Sequence, residues 1–143
     1  MSESLQVLFL CTGNSCRSQM ADGIVNHDFS RKITAVSADT EPHGLNPRAV
    51  QVIYEIGIDI SRNSSDHLSR YEGQTFDYVI SLCGDADDKC PAFFGGVKRL
   101  HMPFDDPPRA TGSDEQVMAV YRRVRDEIRD RMKTFFNAEL KGQ

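Results

Sequence analysis

The sequence predicts an α/β fold: a four-stranded parallel sheet with helices on both faces, built as one three-layer domain over residues 1–143. Three observations point there. Short runs of strand length, at Val7 to Leu10, Ile33 to Ala38, Phe76 to Leu82 and Val97 to Met102, alternate with stretches of helical spacing. The runs alternate poorly between apolar and polar, as strands covered on both faces do. The chain of 143 residues matches one core, and it contains no repeat, linker or low-complexity segment.

The elements follow in order. After the first strand, Met20, Ala21, Ile24 and Phe29 continue at helical spacing to about Ser30. Ile33 to Ala38 is the second strand, and Glu41-Pro42-His43-Gly44 is a turn or loop. Asn46 followed by Pro47 marks a helix start, with a capping side chain and then proline at the first helical position. Val50, Ile53 and Tyr54 give that helix an apolar face, and Gly57 ends it. Ser64-Ser65-Asp66 is placed to cap a short helix carrying Leu68. The third strand ends at Cys83 much as the first ends at Cys11.

After the weaker fourth strand, Phe104 to Gly112 is a proline-rich loop, and Ser113 with Gln116 reads as a capping box. Val117, Val120, Tyr121, Val124, Ile128, Met132 and Phe135 then form the apolar stripe of a long helix. Its arginines, Arg122, Arg123, Arg125, Arg129 and Arg131, are interleaved with Asp126, Glu127 and Asp130 and read as a solvated face.

Composition excludes several classes. A formal net charge of −4 argues against a nucleic-acid partner, and an anionic ligand must be drawn by a local positive site. No stretch approaches the roughly 20 apolar residues of a membrane span. Val7 to Leu10 is too short for the apolar core of a signal peptide. The expected location is the cytoplasm, where four cysteines point to catalysis or metal binding rather than to a disulfide framework. A monomer is expected. His27, His43, His67 and His101 are scattered and read as surface or structural residues.

The chemistry concentrates at Cys11-Thr12-Gly13-Asn14-Ser15-Cys16-Arg17-Ser18. A strand that feeds a tight loop and then a helix turns the loop N–H groups into one concavity, backed by the positive end of the helix. That suits a tetrahedral oxyanion held by residues 12–18, with Arg17 closing the cradle as a planar fork of donors. Cys11 lies under the same field, so its thiol is expected well below its ordinary value of about 8.5, with the Ser18 hydroxyl as a donor. A thiolate beneath a bound oxyanion is set for nucleophilic attack on the central atom.

Cys11-x5-Arg17-Ser18, together with Asp106-Pro107 late in the chain, resembles the low-molecular-weight protein tyrosine phosphatase fold. The longer string from Cys11 to Ala21 is similar to the thioredoxin-coupled arsenate reductases built on that fold, as is Leu82-Cys83-Gly84-Asp85-Ala86-Asp87-Asp88-Lys89-Cys90-Pro91. The resemblance spans essentially the whole chain. The three-cysteine set is its most specific part, because a plain phosphatase needs only the first.

On one regular helix, Cys83 and Cys90 would stand roughly 10 Å apart at Cα, whereas a disulfide needs about 4.4–6.8 Å. They join only if the segment bends, and residues 84–89 hold no large apolar anchor against that. The resemblance implies the order of events. Cys11 attacks arsenate while Asp106 protonates the departing oxygen; Cys83 then attacks the adduct and releases arsenite. Cys90 attacks Cys83, leaving a Cys83–Cys90 disulfide for thioredoxin. No tightly bound cofactor is implied, and phosphate or sulfate can stand in for arsenate. Zinc is disfavoured, because six residues separate Cys83 from Cys90 and no second pair exists. Cys16 reads as a small loop residue, and Asp105 competes with Asp106 for the acid role.

Asn14, Ser37 and Asp66 match positions at which some members bind potassium; at the fourth position, Asp22, those members have glutamate. Two other functions share the cradle. One is phosphomonoester hydrolysis through Cys11, although Pro108-Arg109-Ala110 lacks the aromatic wall that related phosphatases carry there. The other is a non-catalytic anion or redox sensor signalling through Cys83 and Cys90.

Overall fold

The computed structural model describes residues 4–11, 16–39, 44–64, 66–82 and 96–141. Four strands, β1 (Leu5–Cys11), β2 (Ile33–Asp39), β3 (Phe76–Ser81) and β4 (Gly96–His101), form one sheet in the order β2-β1-β3-β4. Every pairing is parallel, as the nearly continuous apolar runs require. Three α-helices accompany them: α1 (Cys16–Asp28), α2 (Pro47–Tyr54) and α3 (Asp114–Lys141).

The order places β1 between β2 and β3. The chain leaves β1 toward one neighbour and returns later on its other side, so the end of β1 is a topological switch point. Ligands in open parallel sheets bind at such points. Side-chain alternation splits β1 between two cores. Val7 and Phe9 join the core built with α1, α2 and α3, whereas Leu8 and Leu10 join Ala38, Tyr71, Phe76 and Val79 beneath the sheet. Among the described residues that second face is covered by a 3-10 turn, Leu68–Tyr71.

Local chemistry sets the helix ends. Asn46 Oδ1 accepts from the N–H groups of Arg48 (2.9 Å) and Ala49 (3.2 Å). Ser113 and Gln116 exchange reciprocal side-chain bonds at 2.8 and 3.2 Å, the capping box read from sequence. Gly57 takes φ +83° just beyond α2, a left-handed conformation that glycine adopts without strain.

Some expectations are corrected. The short turn near residue 68 is capped by His67, whose ring nitrogen accepts from the Ser69 N–H. Helix α2 buries Ala49, Val52 and Ile53, while Tyr54 is 69 % exposed. Phe136, not Phe135, completes the buried stripe of α3. The α3 arginines also do more than meet solvent. Arg122 and Arg125 both grip Glu55 at the end of α2, and Arg129 makes a bidentate pair with Asp28 at the end of α1. No described helix is long and apolar enough to cross a membrane.

Candidate active site

Cys11 is the last residue of β1, and Cys16 opens α1. Both are buried. Thr12, Gly13, Asn14 and Ser15, read as the anion loop between them, lie outside the described residues, as do Cys83 and Cys90. What is described is the frame on which these segments are mounted.

Arg17 organises that frame. Its side chain is fully buried in the first turn of α1. Nη1 donates to the carbonyl oxygens of Leu82 (3.2 Å) and Phe104 (2.9 Å), and Nε lies 3.8 Å from Asp106 Oδ1. The side chain therefore ties the start of α1 to two other pieces of chain: the residue preceding Cys83 and the loop that presents the candidate acid. A second bond tightens this, because the Leu82 N–H donates to the carbonyl of Leu10, one residue before Cys11 (2.9 Å).

Asp106 caps the 3-10 turn Pro107–Arg109 without using its side chain for the cap. Its carboxylate, 10 % exposed, faces Arg17 and, at 3.7 Å, Arg109. Asp105, its rival, points outward into an ion pair with Arg123 (2.9 Å) and is 71 % exposed. The geometry separates the two: only Asp106 faces the arginine of the cradle.

The thiol does not follow the sequence expectation. Burial pushes Cys11 up from its ordinary value. Arg17 pulls it down and Asp39 pushes it up; the Ser18 backbone N–H lowers it, and Asp106 adds to the rise. The outcome is a raised thiol, because loss of water outweighs the opposing charge. Nor is the Ser18 hydroxyl the donor; it makes no hydrogen bond among the described residues. Burial also pushes Cys16 up, as suits a small residue packed in the core.

The four positions matched to potassium are brought together only in part. The Ser37 hydroxyl donates to Asp22 (3.1 Å), which also accepts from Asn26 (3.0 Å). Burial, with a contribution from the Asp66 charge, raises the Asp22 carboxyl to about 7. Asp66 is engaged by Arg70 (2.9 Å), Ser64 (2.8 Å) and Tyr71 (3.3 Å), and Asn14 is outside the described residues. Among the described residues one of these carboxylates is paired with an arginine and the other is held by neutral donors, so Asp22, Ser37 and Asp66 do not form a cation cage by themselves.

Sequence reasoning missed Asp39. It ends β2 directly opposite Cys11, is 1 % exposed, and neither carboxylate oxygen finds a hydrogen-bond partner among the described residues. Burial raises it to about 7, against the pull of Arg17. The only signal in the sequence was a charged residue closing an otherwise apolar run, which acquires meaning once the register is known.

Known proteins share this arrangement of sheet and helices. Residues 6–143 match the model of the family described as low molecular weight phosphotyrosine protein phosphatase. An arsenate reductase of Halalkalibacterium halodurans is 51 % identical over 129 residues, covering 90 % of this chain and 93 % of that one. A solved arsenate reductase in the phosphate binding state superposes with a TM-score of 0.78 at 32 % identity, over 94 % of this chain and 98 % of the other. Another, in oxidized state, gives 0.75 at 30 % identity, over 90 % and 94 %.

Proposed function

Because the chain belongs to the low molecular weight phosphotyrosine protein phosphatase family, alongside its arsenate reductases, we propose that it reduces arsenate to arsenite through Cys11, Cys83 and Cys90, with thioredoxin as electron donor. The oxyanion sits on the N–H groups of residues 12–18 and on Arg17, above the Cys11 sulfur. Cys11 forms a sulfur–arsenic bond as one arsenate oxygen departs, protonated by Asp106 to leave as water. Cys83 then attacks the Cys11 sulfur. The sulfur–arsenic bond breaks with its electron pair going to arsenic, which leaves as arsenite, and a Cys11–Cys83 disulfide remains. Cys90 attacks Cys83 and expels Cys11 as thiolate. Thioredoxin's dithiol reduces the Cys83–Cys90 disulfide and is itself oxidised. A reductant of this kind places the reaction in a reducing compartment, the cytoplasm.

One observation carries the relay. Leu82, the residue before Cys83, is bonded on one side to the Leu10 carbonyl and on the other to Arg17. The chain therefore enters the Cys83 segment beside the nucleophile and its anion cradle. A plain phosphatase has no use for a cysteine delivered there. Hydrolysis of phosphomonoesters is expected as a by-product of the shared cradle, since water can also resolve a Cys11 adduct.

The test follows thioredoxin oxidation with arsenate present, for the intact chain and for Cys83→Ser and Cys90→Ser. Both substitutions abolish sustained turnover, while phosphatase activity through Cys11 survives them. Full arsenate turnover in either variant overturns the relay. A single turnover by the intact chain points to a sensor instead.

A further inference from the structure

The unexplained group nearest the site is the Asp39 carboxyl. Alternation places Val7, Phe9 and Cys11 on one face of β1, and Ala35, Ser37 and Asp39 on the same face of β2. Ser37 confirms that direction by bonding to Asp22 of α1. Cys11 and Asp39 are register partners, so their side chains stand next to each other under the start of α1. Arg17 attracts the Asp39 charge, and that charge opposes ionisation of Cys11. Yet neither carboxylate oxygen accepts a hydrogen bond among the described residues. Buried carboxylates are almost always hydrogen-bonded, and an exception calls for a group outside the protein to complete it.

We propose that Asp39 accepts a hydrogen bond from the protonated oxygen of the bound oxyanion, so that the cradle selects hydrogen arsenate and hydrogen phosphate over sulfate. The proposal rests on the reading that this cradle binds a tetrahedral oxyanion. Near neutral pH, hydrogen arsenate and hydrogen phosphate each carry an O–H donor beside their acceptor oxygens. Sulfate has the same shape and the same double charge but no proton to offer. The donors of the cradle, N–H groups and the Arg17 fork, serve acceptor oxygens and cannot tell these anions apart. A carboxylate can. It gains a charge-assisted hydrogen bond from the protonated anions, and against sulfate it sets two acceptors face to face. Discrimination by a buried polar group left unpaired with the wrong ligand is far stronger than discrimination by size. Sulfate, expected from sequence to stand in for arsenate, becomes the poor ligand.

The experiment titrates the reduced, full-length chain with sodium phosphate and with sodium sulfate by calorimetry near pH 8, where both anions are doubly charged. The intact chain binds phosphate at least about tenfold more tightly than sulfate. Asp39→Asn keeps the shape but offers an amide that donates as well as accepts, so sulfate gains and the ratio falls to about threefold or less. Asp39→Ser, smaller and also uncharged, must shift the ratio in the same direction and serves if the asparagine variant does not fold. Equal affinities in the intact chain, or a ratio that neither substitution changes, overturn the role of Asp39 alone. Binding of neither anion overturns the cradle and this inference with it.

Discussion

Arg17 Nη1 lies 3.2 Å from the carbonyl oxygen of Leu82, so the guanidinium is fixed to the residue that introduces Cys83. The same nitrogen holds the Phe104 carbonyl two residues before Asp106. The side chain proposed to close the cradle thus also holds two segments arriving from far along the chain.

Replacing Arg17 should therefore cost more than a charge. Arg17→Lys keeps the positive charge but loses the planar fork and cannot bridge Leu82, Phe104 and Asp106 together. Arsenate turnover falls by about 10²–10³, comparable to the loss of one strong transition-state donor. Phosphate affinity measured by calorimetry falls alongside it. Retention of wild-type turnover by the lysine variant would show that charge alone suffices.

Asp106 and Asp105 give a paired test. Asp106→Asn removes the carboxyl that, of the two neighbours, faces Arg17 and lowers turnover by about 10²–10⁴. Asp105→Asn breaks an exposed pair with Arg123 and leaves turnover within about twofold. Steady-state rates of the two purified variants decide between the neighbours.

The Cys11 thiol predicts the pH dependence of its own reactivity. Burial holds it above its ordinary value, so the thiol form dominates at neutral pH and alkylation accelerates as pH rises into the alkaline range. Iodoacetamide labelling, followed by mass spectrometry of the Cys11 peptide, gives the midpoint. Arg17→Ala removes the largest opposing influence and moves the midpoint upward; Asp39→Asn removes a like charge and moves it downward. A midpoint that neither substitution moves would mean that these charges do not reach the sulfur.

Local chemistry was legible in the sequence, and long-range placement was not. The Asn46 cap, the Ser113–Gln116 box and the strand ending at Cys11 are each written within a few neighbouring residues, and all are present in the structure. Asp39 required the β1–β2 register before its place beside Cys11 could be seen. The carbonyls of Leu82 and Phe104 carry no side-chain signal at all, yet they seat Arg17. Depression of the Cys11 thiol was inferred from nearby charge, whereas the depth of burial reversed it. The α3 arginines illustrate the same limit. Interleaved acids on their own helix suggested a solvated face, but Glu55 and Asp28 reach them from other elements.

The end of α3 yields a stability prediction. From Met132 both a three-residue and a four-residue step stay on a helical face, so spacing alone does not choose between Phe135 and Phe136. In the structure Phe136 is fully buried, its ring edge-to-face with Phe29 (5.8 Å between centroids) and Tyr78 (5.9 Å), while Phe135 is only partly covered. Phe136→Ala should cost about 3–5 kcal/mol in urea unfolding. Phe135→Ala costs less, and an equal or larger loss there would reassign the buried position.

The pair that joins α1 to α3 adds a pH-dependent contribution. Arg129 donates to both Asp28 oxygens, at 2.9 and 2.8 Å. Partial burial pushes the Asp28 carboxyl up, but the bonds and charges of Arg129 and His27 outweigh it and hold the group below the usual carboxylate range. A carboxyl lowered by folding stabilises the folded state above its unfolded value of about 3.9, and that stabilisation disappears as pH falls through the lower folded value. Both side chains remain partly exposed, so screening limits the effect to about 1 kcal/mol. Asp28→Asn should therefore lower the urea midpoint at pH 7, and the gap from the intact chain should close as the pH is taken down toward 2. A gap that persists unchanged at low pH would assign the loss to packing at the α1–α3 junction rather than to the charge of Asp28.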